Sequence, residues 1–396
     1  MYSQHVTPSP ELLTLLRPDA PEDAVQQALR ALDAPPAWEA LLDEAGQEGV
    51  TPLLYRALTP LRPQVPAEVW PRLSRGYFHT AARNLWLLEE AKRVVHSLSH
   101  RGVEALVLKG AALAERVYGS PALRPMGDLD LLVHREQVAA ARAALAEWGY
   151  VAPQAEHIAG AVEAFESQQA WTRRDPATGM ATVCELHWHL LDAPFYQRTM
   201  PLEWFWQSAV PLAWGVAGAR TLGPEAQLLH LCAHLALHHQ GRGLLWTCDV
   251  DRVLRREGEG IDWGLLGERA EAYHLVLPLR HVVEQAVAWL GTPLPAEAME
   301  RLRTLRPTPQ EARLFATLAG PPRGAIPRFL DDLAQLGGWR ARGRFVWANV
   351  FPAPAYMRQR YGIHRGWLLP GYYAYRLAKG LWDGARALGR LKPLLR

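Results

Sequence analysis

The sequence predicts an α+β fold, in which a small mixed sheet is flanked by N-terminal and C-terminal helical regions. Apolar residues follow period two in short runs between residues 103 and 190, as they do in strands. The order strand, helix, strand, helix, strand fits between residues 103 and 151. On either side of this stretch, apolar residues recur at the three-to-four spacing of helices.

The chain has 396 residues, of which 49% are hydrophobic and 21% charged, as in globular proteins of two or three domains. We expect an N-terminal helical region at 1–100, an α/β core at 101–222, a helical domain at 223–321 and a basic aromatic segment at 322–396. The sequence has no apolar run long enough to predict a transmembrane helix, and its N-terminus lacks a signal-peptide pattern. The three cysteines have no zinc or disulfide spacing, so we expect a reducing, cytoplasmic location.

The predicted core begins with the short strand Val103–Leu108, a sharp turn at Lys109-Gly110 and the helix Ala111–Tyr118. The segment before it reads as helices, including a long one that begins near Pro71. The first amides of a helix are unpaired and point into the preceding turn, so they can bind an anion. An ordinary strand-to-helix turn is the alternative.

Asp128 and Asp130 stand at the start of an apolar run that reads as the strand Leu129–Val133. Residues two apart in a strand point to the same face, so the two carboxylates project together, about 6–7 Å apart along the pleat. Their mutual repulsion is relieved if a divalent cation lies between them. A solvated pair of aspartates is the alternative. Arg124, just before this strand, would bind a phosphate or form an ion pair with one of these aspartates.

A hairpin is predicted from Gln168–Arg174, a turn at 175–179 and the strand Ala181–Leu190. Period two places Glu185, His187 and His189 on one face of the second strand. An unpaired buried carboxylate is unfavourable. Glu185 therefore lies either at a solvated edge or opposite the aspartate pair, where it would share a cation. We expect His187 to orient Glu185 or to pack beside it.

The following region is again predicted to be helical, in the segments Pro201–Ser208, Pro224–His239, Leu244–Arg255, Asp262–Tyr273 and Val276–Leu290. His230, His234 and His238 recur at spacing four, which can bind zinc. No glutamate stands between them in a His-Glu-x-x-His pattern, so we expect packed or hydrogen-bonded histidines. Asp249 receives no role from its position in the sequence.

The segment from Pro322 to the end carries fourteen Lys and Arg against three Asp, a balance of +11 within a net charge of +3. The rest of the chain therefore carries about −8. Aromatic residues are interleaved with these arginines. We rank first the interpretation that this segment packs onto the acidic remainder of the chain through ion pairs. The same pattern also fits nucleic-acid binding or an interfacial membrane helix.

Several strings in the core resemble an uncharacterised bacterial family of the DNA-polymerase-β-type nucleotidyltransferase superfamily. They are Leu108-Lys109-Gly110-Ala111-Ala112-Leu113, Tyr118, Arg124-Pro125-Met126-Gly127-Asp128-Leu129-Asp130-Leu131-Leu132-Val133 and Glu185-Leu186-His187-Trp188. Further matches lie at 49–54, 228–234, 246–249 and 261–263, so the resemblance covers most of the chain.

The resemblance implies a metal-dependent transfer of a nucleoside monophosphate from a nucleoside triphosphate, such as ATP, to an acceptor hydroxyl. It implies that Asp128, Asp130 and Glu185 are catalytic and hold two Mg²⁺ (or Mn²⁺) ions. It also implies that the triphosphate is bound by Lys109, Gly110 and Arg124.

One departure concerns the turn, where the superfamily has Gly-Ser and this chain has Lys109-Gly110. Residues 111–127 also make a longer gap before Asp128. Because one usual triphosphate contact is missing, Lys109 or Arg124 would have to replace it. A non-catalytic nucleotide-binding or scaffold protein on a degenerate fold is the second hypothesis. The acceptor stays open among peptide, sugar, RNA and small molecule.

Overall fold

A six-stranded mixed sheet with helices on both faces forms the centre of the computed structural model. The structure describes residues 7–152, 165–320 and 324–391. The predicted α+β fold class is therefore confirmed. Within the described residues, no helix combines the length and apolar character needed to cross a membrane.

The sheet has the strand order β3-β4-β2-β1-β6-β5 in the described part of the chain. Strand β2 pairs in parallel with β4 and antiparallel with β1, and β6 runs parallel to β1. The pairs β3–β4 and β5–β6 are antiparallel. The strands are β1 (Ala105–Val107), β2 (Leu129–Val133), β3 (Gln168–Arg174), β4 (Ala181–His187), β5 (Val210–Pro211) and β6 (Arg220–Thr221).

Helices precede, interrupt and follow the sheet. Those before it are α1 (Pro10–Leu16), α2 (Glu22–Ala31), α3 (Pro35–Gln47), α4 (Thr51–Leu58) and α5 (Trp70–His100). Those between strands are α6 (Lys109–Arg116), α7 (Val138–Glu147), α8 (Pro194–Thr199) and α9 (Glu203–Gln207). Those after it are α10 (Pro224–Ala233), α11 (Leu244–Glu257), α12 (Trp263–Ala272), α13 (Val276–Leu290), α14 (Ala296–Thr304), α15 (Pro309–Leu318), α16 (Ala325–Gln335), α17 (Gly338–Val350), α18 (Pro354–Tyr361) and α19 (Leu369–Leu391).

Several predicted boundaries in the core are corrected by the structure. Helix α6 begins at Lys109 rather than Ala111, so the predicted turn residues belong to the first turn of the helix. Strand β4 ends at His187 rather than Leu190. The reason is that the amides of Trp188 and His189 both donate to the carbonyl of Ser167 and so leave the ladder.

Both faces of the central strands are buried, because successive side chains of a strand point to opposite faces. Leu106 and Leu132 pack into one hydrophobic cluster, which also contains residues of α1–α5 and α10–α15. Val107 and Leu131 pack into a second cluster with residues of α5 and α7. The sheet is thus held between two apolar layers, and the predicted domain limits at 100, 222 and 321 stay predictions.

Candidate functional site

Asp130 and Glu185 lie on adjacent parallel strands and are direct partners in the register of β2 and β4. Because paired residues of neighbouring strands project to the same side of the sheet, their carboxylates converge. Asp130 is buried and Glu185 is partly exposed. Of the two arrangements open to Glu185 in the sequence, the structure has the one that faces the aspartates.

Two basic side chains contact Asp130. Its Oδ1 is 2.8 Å from Nζ of Lys109 and 3.0 Å from Nε2 of His187. Burial raises the pKa of Asp130, but Lys109 and His187 outweigh burial and hold that pKa well below its usual range. Burial lowers the pKa of His187, yet hydrogen bonds to Asp130 and Glu185 raise it overall. The contacts with Lys109 and His187 thus stabilise an ionised Asp130.

Glu185 is also held from the neighbouring strand. Its Oε2 accepts a hydrogen bond of 2.9 Å from Nε2 of Gln168, on β3, and is 3.6 Å from Nε2 of His187. Gln168 is a contact that the sequence pattern did not identify. Its position in the first strand of a hairpin was the available signal, because antiparallel pairing brings Gln168 opposite His187.

Asp128 lies immediately before β2 and lines the same cavity as Asp130 and Glu185. Burial, followed by the charges of Asp130 and Glu185, raises its pKa to about 6. Three carboxylates therefore approach each other, and the basic groups in contact with them among the described residues are Lys109, at Asp130, and His187, at Asp130 and Glu185. An additional cation at this point would relieve the repulsion.

Lys109 and Gly110 are the first residues of α6. They lie beside the acidic group, which consists of Asp128, Asp130 and Glu185. Lys109 has a left-handed φ of 46°, which is unfavourable for a residue with a side chain and directs the chain sharply into the helix. A Cβ on Gly110 would lie 2.5 Å from Nη1 of Arg124 and 2.9 Å from Cγ of Met126. Gly110 is thus required because the loop before β2 packs directly on the helix.

Arg124 forms an ion pair with neither Asp128 nor Asp130, and its partner is Asp249 of α11. Its Nη2 and Nε donate to the two oxygens of Asp249 at 2.8 and 3.2 Å, and its Nη1 donates to the carbonyl of Pro125. Tyr118 Oη also donates to Asp249, at 2.8 Å. Asp249 is fully buried. The aspartate that had no role in the sequence therefore anchors the loop that leads into β2.

The acidic group opens into a cavity of about 910 Å³. Its walls include Lys109, Arg124, Asp128, Asp130, Glu185 and His187. Helices outside the sheet contribute Trp246 and, from α16 and α17, Asp332 and Phe345. Five of the six predicted site residues thus line one cavity. The sixth, Gly110, packs against Arg124, which is part of the cavity wall.

The histidine stripe of residues 230–238 contributes His234 and His238 to the wall of this cavity. Among the described residues, the set of donors close enough to share an ion is Asp130, Glu185 and His187. His234 Nε2 bonds His239 Nε2 at 3.0 Å, and His238 Nδ1 is 3.2 Å from Asp192. The expectation of packed and hydrogen-bonded histidines agrees with these contacts, and α10 continues as a π-helical turn through His234–His238.

Comparison with known proteins identifies the family. The sequence profile of a family described as uncharacterised nucleotidyltransferase matches residues 34–291. The chain belongs to this family. Membership in this nucleotidyltransferase family confirms the resemblance carried by the Arg124–Val133 and Glu185–Trp188 strings. No curated protein matches the chain.

One solved structure with a similar chain is the crystal structure of an antigenic nucleotidyltransferase-like protein from Paracoccidioides brasiliensis. The two chains share 18% sequence identity, and the alignment covers 53% of this chain and 96% of that chain, with a TM-score of 0.32. A similarity at this level assigns no role to any residue of the site. The interpretation of the site uses the family match and the geometry described above.

Proposed function

We propose that this chain is a metal-dependent nucleotidyltransferase that moves a nucleoside monophosphate from a nucleoside triphosphate to an acceptor hydroxyl. The observation that carries the proposal is the convergence of Asp128, Asp130 and Glu185 on one wall of a large cavity. Family membership supports the transferase class, and the acidic cavity wall supports the catalytic role.

The donor set fits a hard divalent cation. One donor atom each from Asp130, Glu185 and His187 lies within 4.8 Å of the others, and carboxylate oxygens are the ligands that Mg²⁺ and Mn²⁺ prefer. The raised pKa of Asp128, caused by burial and by the other two carboxylates, marks excess negative charge at the same place. We assign Asp128, Asp130 and Glu185 as the metal-holding residues. A bound Mg²⁺ or Mn²⁺ would offset negative charge on the triphosphate and favour ionisation of the acceptor hydroxyl.

In the proposed reaction the acceptor oxygen attacks the α-phosphorus, the bond between the α-phosphorus and the bridging oxygen breaks, and pyrophosphate leaves. The hydroxyl proton passes to the carboxylate of Glu185, which is partly exposed to the cavity. Gln168 and His187 hold Glu185 in place by contacts to its Oε2.

Residues at the start of α6 would contact the phosphates of the triphosphate. Lys109 brings an ammonium group to the cavity wall, and the amides after Gly110 are the unpaired donors of a helix start. Arg124 also lines the cavity, but Asp249 takes two of its donors. A phosphate contact by Arg124 would therefore use Nη1, which donates to the carbonyl of Pro125.

Labelled triphosphates test this function. Purified protein is incubated with Mg²⁺, cell extract and each labelled triphosphate, and label transfer is compared between wild type and the Asp128→Asn/Asp130→Asn double variant. We expect transfer by wild type and a loss of at least about a hundredfold in the variant, because charge stabilisation is removed. The exposed Asp33→Asn variant is the matched control and should keep full activity. Undiminished transfer by the double variant would refute the mechanism.

A non-catalytic nucleotide-binding or scaffold protein is the second candidate, and one observation favours it. Lys109 and His187 already contact the carboxylate of Asp130, so this aspartate has partners within the chain itself. Calorimetry with each triphosphate and Mg²⁺ separates the two candidates from one another. Triphosphate binding without any transfer supports a nucleotide-binding protein, and absence of binding supports a scaffold.

A further inference from the structure

The C-terminal helices α16–α19 have an unusual surface. Trp339 is 79% exposed, Trp367 72%, Trp347 66% and Trp382 61%. Tryptophan is normally among the more buried side chains on average. Elsewhere in the described residues several tryptophans, such as Trp263, are buried in the core. Exposed aliphatic and other aromatic side chains accompany the four tryptophans: Leu330, Val346, Phe351, Tyr375 and Leu377.

Exposed arginines are interleaved with these side chains along the sequence. Arg344, Arg358 and Arg365 are exposed, and in the described part of the chain none of them forms an ion pair with a carboxylate. Arg342, in α17, donates instead to the backbone carbonyl of Leu336, and Arg376, in α19, donates to that of Asn349 in α17. Arg344, Arg358 and Arg365 therefore give no support to the expectation that the segment is held electrostatically onto the acidic remainder, and that expectation stays a prediction. The exposed guanidinium groups of these three arginines can contact an external anion.

We propose that residues 338–382 form an interfacial surface that binds membranes rich in anionic lipid. The proposal goes beyond the proposed transferase function, because the family profile ends at residue 291 and these helices lie outside it. Arginines would contact lipid phosphates, and the tryptophans would enter the headgroup region, where amphipathic rings concentrate. The charge of this surface and the anionic membrane are complementary.

The chemistry of the exposed side chains favours lipid over nucleic acid. Val346 and Leu377 offer no planar surface for a base, whereas acyl chains accept them readily. Some aromatic rings also pack on each other, which leaves fewer free faces for stacking. Trp347 lies 4.4 Å from Phe351, and Tyr361 lies 5.3 Å from Tyr372, both measured between ring centroids. A mixed aromatic and aliphatic surface with arginines is typical of interfacial helices.

Vesicle co-sedimentation of the full chain tests the proposal. Vesicles of phosphatidylcholine alone are compared with vesicles that also contain phosphatidylglycerol. We expect wild type to sediment with the anionic vesicles at least about tenfold more strongly than with the neutral ones, since each basic residue near a charged surface adds attraction. Equal binding to both vesicles, or binding to neither, would overturn the proposal. A single-stranded RNA arm is included, and RNA binding without vesicle binding would also overturn it.

Two variants and their controls assign the binding to this surface. Arg344→Gln/Arg358→Gln/Arg365→Gln should weaken anionic-vesicle binding by about tenfold or more, whereas Arg30→Gln/Arg56→Gln/Arg75→Gln, exposed residues of α2, α4 and α5, should not. Equal weakening by both sets would mean general charge attraction and would contradict a defined surface.

The apolar contribution has its own variant, Trp339→Ala/Trp347→Ala/Trp367→Ala/Trp382→Ala, with Leu85→Ala, which is also exposed, as the control. If the tryptophan variant does not fold, the tryptophan fluorescence emission of the wild-type chain is measured with and without vesicles to test insertion. Anionic vesicles should shift the emission to shorter wavelength, and brominated lipid should quench it. No shift and no quenching would refute insertion.

Discussion

The charged groups of the sheet and those of the C-terminal helices differ in what surrounds them. In the core, Asp130, Asp249 and Arg124 are buried, and each contacts an opposite charge at 2.8 Å. In the C-terminal region, Arg358 of α18 and Arg365, between α18 and α19, are exposed. The desolvation of a buried charge makes each core contact individually important, whereas exposed charges in water act mainly through their sum.

The difference teaches which kind of function each region can support. A catalytic site needs individual atoms held within fractions of an ångström, which buried ion pairs provide. A membrane-binding surface needs total charge and apolar area, and tolerates the loss of any one contributor. Single conservative substitutions should therefore have large effects in the core and small effects in the C-terminal helices. Four predictions follow this contrast from the largest expected effect to the smallest.

Removal of Asp249 should have the largest effect on stability. Asp249→Ala leaves the buried guanidinium of Arg124 and the hydroxyl of Tyr118 without their acceptor. We expect a loss of about 3–5 kcal/mol in the free energy of unfolding, measured by urea denaturation. The double variant Arg124→Met/Asp249→Leu should recover much of this loss, since no charge stays buried. A single variant as stable as wild type would contradict the account of this anchor.

Two glycine-to-alanine substitutions should have opposite signs. Gly110→Ala places a Cβ against Arg124 and Met126, whose side chains are buried, and should destabilise by about 1–3 kcal/mol. Gly343→Ala, in the exposed interior of α17 where nothing lies within 4 Å, should stabilise by about 0.5–1 kcal/mol. Thermal unfolding of both variants measures the difference. Equal effects would show that α6 does not pack as tightly as described.

The raised pKa of Asp128 predicts a pH-dependent stability in the absence of divalent cations. Its ordinary value is 3.8 and its folded value is about 6, so the folded chain holds this proton more tightly. The contribution of Asp128 to stability therefore falls as pH rises from 3.8 through about 6. Asp128→Asn removes this penalty.

The measurement is urea unfolding in EDTA at pH 4 and at pH 7.5. We expect Asp128→Asn to be more stable than wild type by about 1–3 kcal/mol at pH 7.5, with a much smaller difference at pH 4. Added Mg²⁺ should stabilise wild type more than the variant. A variant that is no more stable than wild type at pH 7.5 would mean that the three carboxylates do not repel each other in the folded chain.

The smallest effect is expected from a single change in the C-terminal helices. Arg358→Gln removes one exposed charge of many and should alter nucleotidyl transfer by less than about twofold and unfolding by less than about 0.5 kcal/mol. The same labelled-triphosphate and urea measurements apply. A large loss of transfer in this variant would connect the C-terminal surface to the chemistry and would break the contrast between the two regions.

The local part of the site could be predicted from the sequence, because strand periodicity fixes which residues share a face. Periodicity leaves Glu185 either at a solvated edge or opposite the aspartates, and the register of β2 and β4 pairs it with Asp130. The fold class and family also followed from short strings. The roles of these residues remain proposals, since periodicity reports direction and not chemistry.

The long-range contacts could not be predicted. Arg124 and Asp249 are 125 residues apart, and Lys109 and Asp130 are 21 residues apart without a shared element. No spacing rule connects such pairs, because they depend on how helices pack on the sheet. For the C-terminal segment, charge and aromatic content were evident, but whether its arginines were paired depended on tertiary structure.

The central claim is that Asp128, Asp130 and Glu185 hold a divalent cation. Electron paramagnetic resonance of Mn²⁺ titrated into the purified chain tests it most directly, because free and bound Mn²⁺ give different signals and no activity is needed. The account predicts binding by wild type, competition by Mg²⁺, and loss of binding in Asp128→Asn/Asp130→Asn but not in Asp33→Asn. Equal Mn²⁺ binding by wild type and the double variant would contradict it.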